Sequence, residues 1–175
     1  MVWWTWANGL SLSRLAIAPF TAFAIIEDSF LSGVILFSAA VFTDIIDGPI
    51  ARRRGEASPV GGKIDHGSDA VYVSLCLAAL AYEGIISWVL PPLVIVAFLQ
   101  YLFDSKALKN QNPLRSSQLG RYNGIAYFVL VGIAVIQGAL AWTLFSPNSL
   151  QVLSWLLIAT TAISMRNRFN FSKDS

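Results

Sequence analysis

The 175-residue chain is 55% hydrophobic and 13% charged, with 12 Lys and Arg against 10 Asp and Glu, one His and a formal net charge of +2. That charged fraction is far below the roughly 25% usual for soluble domains, and the apolar runs recur at lengths near the roughly 20 residues that cross about 30 Å of hydrocarbon. An ordinary soluble globular domain is excluded. So is a lipid-embedded barrel, whose strands alternate instead of running uniformly apolar.

The expected fold class is therefore all-α, a polytopic membrane protein with six transmembrane helices in one bundle. In chain order the chain opens on MVWWTWANG, which lacks the basic flank of a secretory signal and has tryptophans suited to the headgroup level, so no removed signal peptide is expected. The predicted spans are 10–26, 31–47, 65–82, 85–103, 122–142 and 150–164. Their short connections leave no room for a separate soluble domain, so one membrane domain over residues 1–175 is expected. Cys76, the single cysteine, lies in the third span and reads as a small core residue.

Orientation follows from charge. With the amino terminus inside, the inner ends and loops hold Arg14, Arg52, Arg53, Arg54, Lys63, Lys106, Lys109, Arg115, Arg121, Arg166, Arg168 and Lys173, all 12 basic residues, and the outer loops hold none. By the positive-inside rule both termini should face the cytoplasm, across the inner membrane if the cell is bacterial.

Between the second and third spans lies TDIIDGPIARRRGEASPVGGKIDHGSDA, residues 43–70, with four aspartates, Asp44, Asp47, Asp65 and Asp69. On a second helix continuing to Arg54, Asp44 and Asp47 lie about 15 and 10 Å from the basic end, and Asp65 and Asp69 lie about 3 and 9 Å in from Lys63. With Asp44 at zero and about 100° per residue, Asp47 falls at about −60°, Ala51 at −20°, Gly48 at +40° and Arg52 at +80°. One face thus carries acids, small residues and an arginine. Asp65 and Asp69, four apart, also share a face.

Gly48, Ala51 and Gly61 lack bulk where a neighbouring helix or a ligand would approach. Four intramembrane carboxylates would cost about 10 to 14 kcal/mol on insertion scales before discounting for shallow depth, and would repel one another. Divalent cations with oxygen ligands offset both costs, and Mg²⁺ or Mn²⁺ suits carboxylates together with a phosphate. The plainer alternative is that the acids pair with Arg52, Arg53, Arg54 and Lys63 in a solvated loop. The i,i+3 and i,i+4 spacing with interleaved glycines favours a site.

These residues resemble the signature of the CDP-alcohol phosphatidyltransferase family, D-x2-D-G-x2-A-R-x8-G-x3-D-x3-D. Asp44, Asp47, Gly48, Ala51, Arg52, Gly61, Asp65 and Asp69 stand at every fixed position. Earlier, NGLSLSRLAIAP is similar to the family's N-x2-T-x2-R pattern, with Asn8, Ser11 and Arg14 in place and Ser11 for the commoner Thr. For Arg14, marking the inner end of the helix and contacting ligand stand as equal readings.

The resemblance implies that Asp44 and Asp65 bridge two divalent cations, with Asp47 completing one site and Asp69 the other, and that Asp69 is also the general base. It implies that Gly48, Ala51, Arg52, Ser58 and Gly61 serve a CDP-lipid donor, with Asn8 to Ser11 closing over it. The reaction implied is attack by an acceptor hydroxyl on the phosphorus bearing the lipid alcohol, with CMP leaving. The acceptor stays open among glycerol 3-phosphate, inositol, inositol phosphate and other alcohols. Arg121, in LGRYNG, is the candidate acceptor contact, beside a basic cluster of Lys106, Lys109, Arg115, Arg166 and Arg168. The other partners expected are membrane lipids and a second copy of the chain, with no nucleic acid. Pro49 removes a helix bond to Ile45 and should bend the second helix. His66 points about 100° away from Asp65 and reads as an interfacial residue.

Two other classes compete. An intramembrane prenyltransferase also binds a diphosphate through aspartates and Mg²⁺, but with two separated acidic motifs. A small cation or proton transporter would line a path with acids, yet the only outer acids are Glu27, Asp28 and Glu83, at loop ends.

Overall fold

The computed structural model describes residues 5–107 and 118–173, and among them every regular element is a helix. They are α1 (Trp6–Ile26), α2 (Phe30–Arg53), α3 (Pro59–Tyr82), α4 (Leu90–Ala107), α5 (Gln118–Ala139) and α6 (Pro147–Lys173). Lys109, Arg115, Trp3 and Trp4 lie outside the described residues.

Local chemistry sets the ends. Thr5 caps α1 by accepting from the Asn8 N–H at 3.1 Å, and Ser58 caps α3 by accepting from the Gly61 N–H at 3.0 Å, followed by Pro59 in the first turn. At the end of α2, Gly55 takes φ +66, and the Gly55 and Glu56 N–H groups return to the carbonyls of Arg52 and Ala51 at 3.3 and 2.9 Å. This left-handed turn satisfies the last carbonyls and reverses the chain into α3 within a few residues. The helix runs unbroken through Pro49.

The expected fourth span starts too early. Gly84, at φ +71, ends α3, and the Ile85 N–H bonds back to Leu80 at 2.9 Å, so residues 85–89 belong to the turn. Helix α4 opens on Leu90, Pro91 and Pro92, where missing N–H groups do no harm. Helix α5 begins before its predicted span and stops at Ala139, and α6 is longer than predicted at both ends.

Helices α1, α2, α5 and α6 are long and apolar enough to cross a bilayer. In α4 the apolar stretch is shorter, Leu90–Phe103, and α3 opens on Lys63, Asp65, His66 and Asp69. Helix α1 packs on α2 and α3, while α5 meets α2, α3 and α6, and α4 meets α3 and α6. The core lies along α3, which packs on α1 to one side and α5 to the other, around Ile25, Tyr72, Leu77 and Leu130, with Tyr72 stacked on Phe128 at 6.0 Å.

Contact between α2 and α5 depends on glycine. A Cβ on Gly33 would lie 2.7 Å from Val135 Cγ1, and one on Gly132 would lie 3.1 Å from the Phe37 ring. On α2 the buried residues Gly33, Ala40 and Asp47 recur every seven positions, whereas Leu31, Ile35, Phe42 and Ile45 are exposed. So broad an apolar exterior is a liability in water and is what a helix presents to lipid. The chain is an integral membrane protein.

Candidate functional site

Arg14 stands at the centre of the four aspartates. Placed on α1 two turns in from Trp6, it is fully buried. Its Nη1 donates to Asp44 Oδ1 at 2.6 Å, its Nη2 donates to Asp47 Oδ2 at 3.1 Å and to Asp65 Oδ1, and its Nε lies 3.1 Å from Asp69 Oδ1. Helix α2 contributes one acid pair and α3 the other, each on a single face, as their spacing predicts. The acids do not pair with Arg52, Arg53, Arg54 or Lys63 among the described residues.

Ser11 lies one turn before Arg14 on the same face. Its hydroxyl donates to Asp47 Oδ2 at 2.9 Å, with the Ala7 carbonyl at 3.2 Å and Asp65 Oδ1 at 3.4 Å as further acceptors in reach. Asp47, the most enclosed of the four acids at 5% exposure, thus has two donors from α1 on one oxygen.

The donor set suits hard divalent cations. Asp44, Asp47 and Asp65 each offer a carboxylate oxygen within 4.8 Å of the others, and so do Asp65 and Asp69 together with His66. Asp65 belongs to both groups, the geometry a pair of neighbouring cations needs. Four carboxylates and one guanidinium leave a formal charge of −3, and Asp69 Oδ1 is buried without a hydrogen bond of good geometry. Unused acceptor capacity and excess negative charge both favour a cation.

Residues expected at the donor gather beside the acids. A Cβ on Gly61 would lie 3.1 Å from Asn8 Oδ1 and 3.3 Å from Ser58 Oγ, so the start of α3 lies against the start of α1. The Arg52 guanidinium lies 3.4 Å from the position of a Cβ on Gly48, is exposed, and pairs with no carboxylate among the described residues. Ala51 sits in the last turn of α2, its carbonyl capped by Glu56. Arg54 lies over the Trp6 ring at 5.6 Å, tying the same ends of α2 and α1 together.

Asp44 and Asp69 also line a cavity of about 600 Å³ that opens between α3, α4, α5 and α6. Arg121 lines it, as do Arg168, His66 and Tyr101. Arg168 lies 5.3 Å over the Tyr101 ring, and His66 meets the same ring edge-on at 5.9 Å. Deeper in, Tyr127 and Thr161 hydroxyls meet at 2.5 Å, and Asn123 accepts from Thr160 at 3.0 Å. Val73, Val94 and Phe128 form apolar wall.

Sequence reasoning brought the acids together but missed two things. Arg14 is a hub, not only a marker of a helix end; its place in an apolar span was the available signal, since an ionisable residue there is rarely idle. The cavity wall from Tyr101, Asn123, Thr161 and Arg168 comes from three helices without local spacing. Only the four-residue interval between Asn123 and Tyr127 on α5 hinted at it.

Residues 4–166 match the family described as CDP-alcohol phosphatidyltransferase. Among similar proteins is the human cardiolipin synthase (CMP-forming), 34% identical over 84 residues that cover 47% of this chain and 28% of that protein. The probable cardiolipin synthase (CMP-forming) of Drosophila melanogaster is 27% identical over 192 aligned positions, 95% of this chain and 58% of the other. A CDP-diacylglycerol–glycerol-3-phosphate 3-phosphatidyltransferase of Aquifex aeolicus is 30% identical over 75 residues, 43% of this chain and 42% of its own length. The chain therefore spans less than two thirds of each of these relatives.

Proposed function

Because the chain belongs to the CDP-alcohol phosphatidyltransferase family, we propose that it transfers a phosphatidyl group from CDP-diacylglycerol to the hydroxyl of a phosphate-bearing glycerol, releasing CMP in phospholipid synthesis. The observation that carries this is the convergence of Asp44, Asp47, Asp65 and Asp69 beside a cavity that Arg121 and Arg168 line.

Asp44, Asp47, Asp65 and Asp69 would hold two divalent cations, Mg²⁺ or Mn²⁺, which when bound neutralise the diphosphate and stabilise the leaving CMP. Arg52 suits the diphosphate because its planar fork matches phosphate oxygens and, among the described residues, no carboxylate pairs with it. Asn8, Ser11, Gly48, Ala51, Ser58 and Gly61 shape the donor side, where small residues let the nucleotide approach backbone. In the step itself the acceptor oxygen bonds to the phosphorus that carries the lipid alcohol. The bond from that phosphorus to CMP breaks, its electron pair stays on CMP, and the acceptor proton passes to the Asp69 carboxylate. Asp69 lines the cavity, as Asp44 does, and the family resemblance makes Asp69 the base for an acceptor bound there.

A phosphate-bearing acceptor is favoured by the two arginines, and the Aquifex relative's name includes glycerol 3-phosphate. All six helices are taken to span the membrane as one domain over 1–175, since α3 at 24 residues and α4 at 18 reach about 36 and 27 Å. Both termini would be cytoplasmic with the site on that side, in line with the basic loops. A homodimer is implied by the family resemblance.

The test is CMP release from CDP-diacylglycerol in detergent, with Mg²⁺ or Mn²⁺ and with glycerol 3-phosphate, phosphatidylglycerol, inositol, inositol phosphate, serine or choline. Metal-dependent CMP release with one of the two glycerol phosphates is expected. Release with a neutral acceptor alone would overturn the acceptor reading, and no release together with no metal-dependent CDP-lipid binding would overturn the donor reading.

A further inference from the structure

Arg14 differs from the surface arginines of this chain in having no exposure and contact with four acids at once. Its guanidinium fills the space on which both cation-competent groups converge, since Asp44, Asp47, Asp65 and Asp69 all point oxygens at it. The fit is favourable in charge yet incomplete in bonding. Arg14 Nε and Asp69 Oδ1 lie 3.1 Å apart, and each is buried with no hydrogen bond of good geometry.

Charge balance sets a limit. Two divalent cations bring +4 to four carboxylates, so the metals alone neutralise the acids, and Arg14 kept among them would add an unbalanced positive charge at close range. A diphosphate bound beside the metals changes this, because its oxygens accept the same planar fork that now holds carboxylates.

We propose that Arg14 is a built-in competitor of the divalent cations, neutralising the four carboxylates when metal is absent and passing to the donor's diphosphate when metal and donor bind together. This rests on the two-cation reading above. It deepens that reading by making metal affinity depend on a residue outside the acidic motif. It also explains how α1, α2 and α3 can pack around four acids, one buried and three partly buried, before any metal arrives: Arg14 supplies the counter-charge that removal from water demands.

The test is Mn²⁺ binding to the chain in detergent, followed by electron paramagnetic resonance of the free ion, for the wild type, Arg14→Gln and Arg14→Lys, with and without CDP. Without CDP, Arg14→Gln should bind Mn²⁺ about ten-fold or more tighter than the wild type, as removal of a unit charge at contact range requires. Arg14→Lys keeps the charge but loses the fork, and should fall between. With saturating CDP the gap should close to about three-fold, because Arg14 then has another partner. In EDTA the unfolding temperature of Arg14→Gln should drop, and Mn²⁺ should restore it.

A purely structural Arg14 gives the opposite sign, looser Mn²⁺ binding in both variants, and that result would overturn the proposal. Equal affinity in all three proteins would do so as well. If Arg14→Gln does not fold, the sign of the change in Arg14→Lys decides. No Mn²⁺ binding by any of them, with or without CDP, would instead overturn the two-cation reading.

Discussion

The guanidinium of Arg168 lies 5.3 Å over the ring of Tyr101, joining α6 to α4 beside the cavity that Arg121 lines from α5. Such a contact orients a cation without neutralising it, so the charge stays available to an anionic acceptor. Arg168→Ala should raise the KM for the phosphate-bearing acceptor about ten-fold or more, a loss of about 1.4 kcal/mol or more. Arg168→Lys should recover only part of this, lacking both fork and stacking. Acceptor titration followed by CMP release checks it, and an unchanged KM would remove Arg168 from acceptor binding.

Asp69→Asn keeps the shape of the side chain and removes its capacity to take a proton. At saturating Mn²⁺ and CDP-lipid, which offset the loss of a charged ligand, turnover should still fall about 10²-fold or more, the usual scale for a positioned base. Retained turnover would mean that another group takes the proton.

Ser11→Ala removes the hydroxyl that donates to Asp47 at 2.9 Å inside the helix contact. The loss should be about 1.5 to 3 kcal/mol, as for a hydrogen bond to a charged group, read as a lower unfolding temperature in detergent. Ser11→Thr keeps the donor and should remain near the wild type. Equal destabilisation by both substitutions would point to packing and not to the hydrogen bond.

Gly33→Val tests the approach of α2 to α5. Even the first carbon of a side chain there would sit 2.7 Å from Val135, and overpacking of this kind costs about 1 to 3 kcal/mol. The double substitution Gly33→Val with Val135→Gly should recover part of the loss, and a lack of any coupling would show that the two positions do not share the contact.

Topology has its own measurement. Reporter fusions at both ends should report the cytoplasm, as should cysteine labelling at position 53, with the turn around Gly84 labelled from the other side. Opposite labelling of residues 53 and 173 would leave an odd number of crossings between them and exclude the proposed topology.

What was legible in the sequence followed local periodicity. Asp44 and Asp47 on one helix face and Asp65 and Asp69 on another are three and four residues apart, so spacing alone predicted that each pair shares a side. The cost of isolated acids in lipid then implied that the pairs converge. Helix starts are less legible: apolar Ile85 and Ile86 extend the hydrophobic run back to 85, whereas Gly84 and the Pro91–Pro92 pair delay the helix to Leu90. Arg14 and Arg168 were visible as charges, but which partner each meets depends on how helices pack, and no single segment carries that information. Thr161 is hidden for the same reason, as one of several hydroxyls on α6, set apart by the Tyr127 hydroxyl that meets it.

The left-handed turn at Gly55 joins the two acid-bearing helices within a few residues, so all four carboxylates of the cluster come from 26 consecutive residues and their counter-charge from the helix just before them. Most of the cavity wall comes from α4, α5 and α6. Under the reading developed above, chemistry and choice of acceptor are written in different halves of the gene. Mutation in the later half can exchange one hydroxyl substrate for another while the part that breaks the diphosphate stays untouched, which is a physical route by which one membrane scaffold diversifies into enzymes for many headgroups.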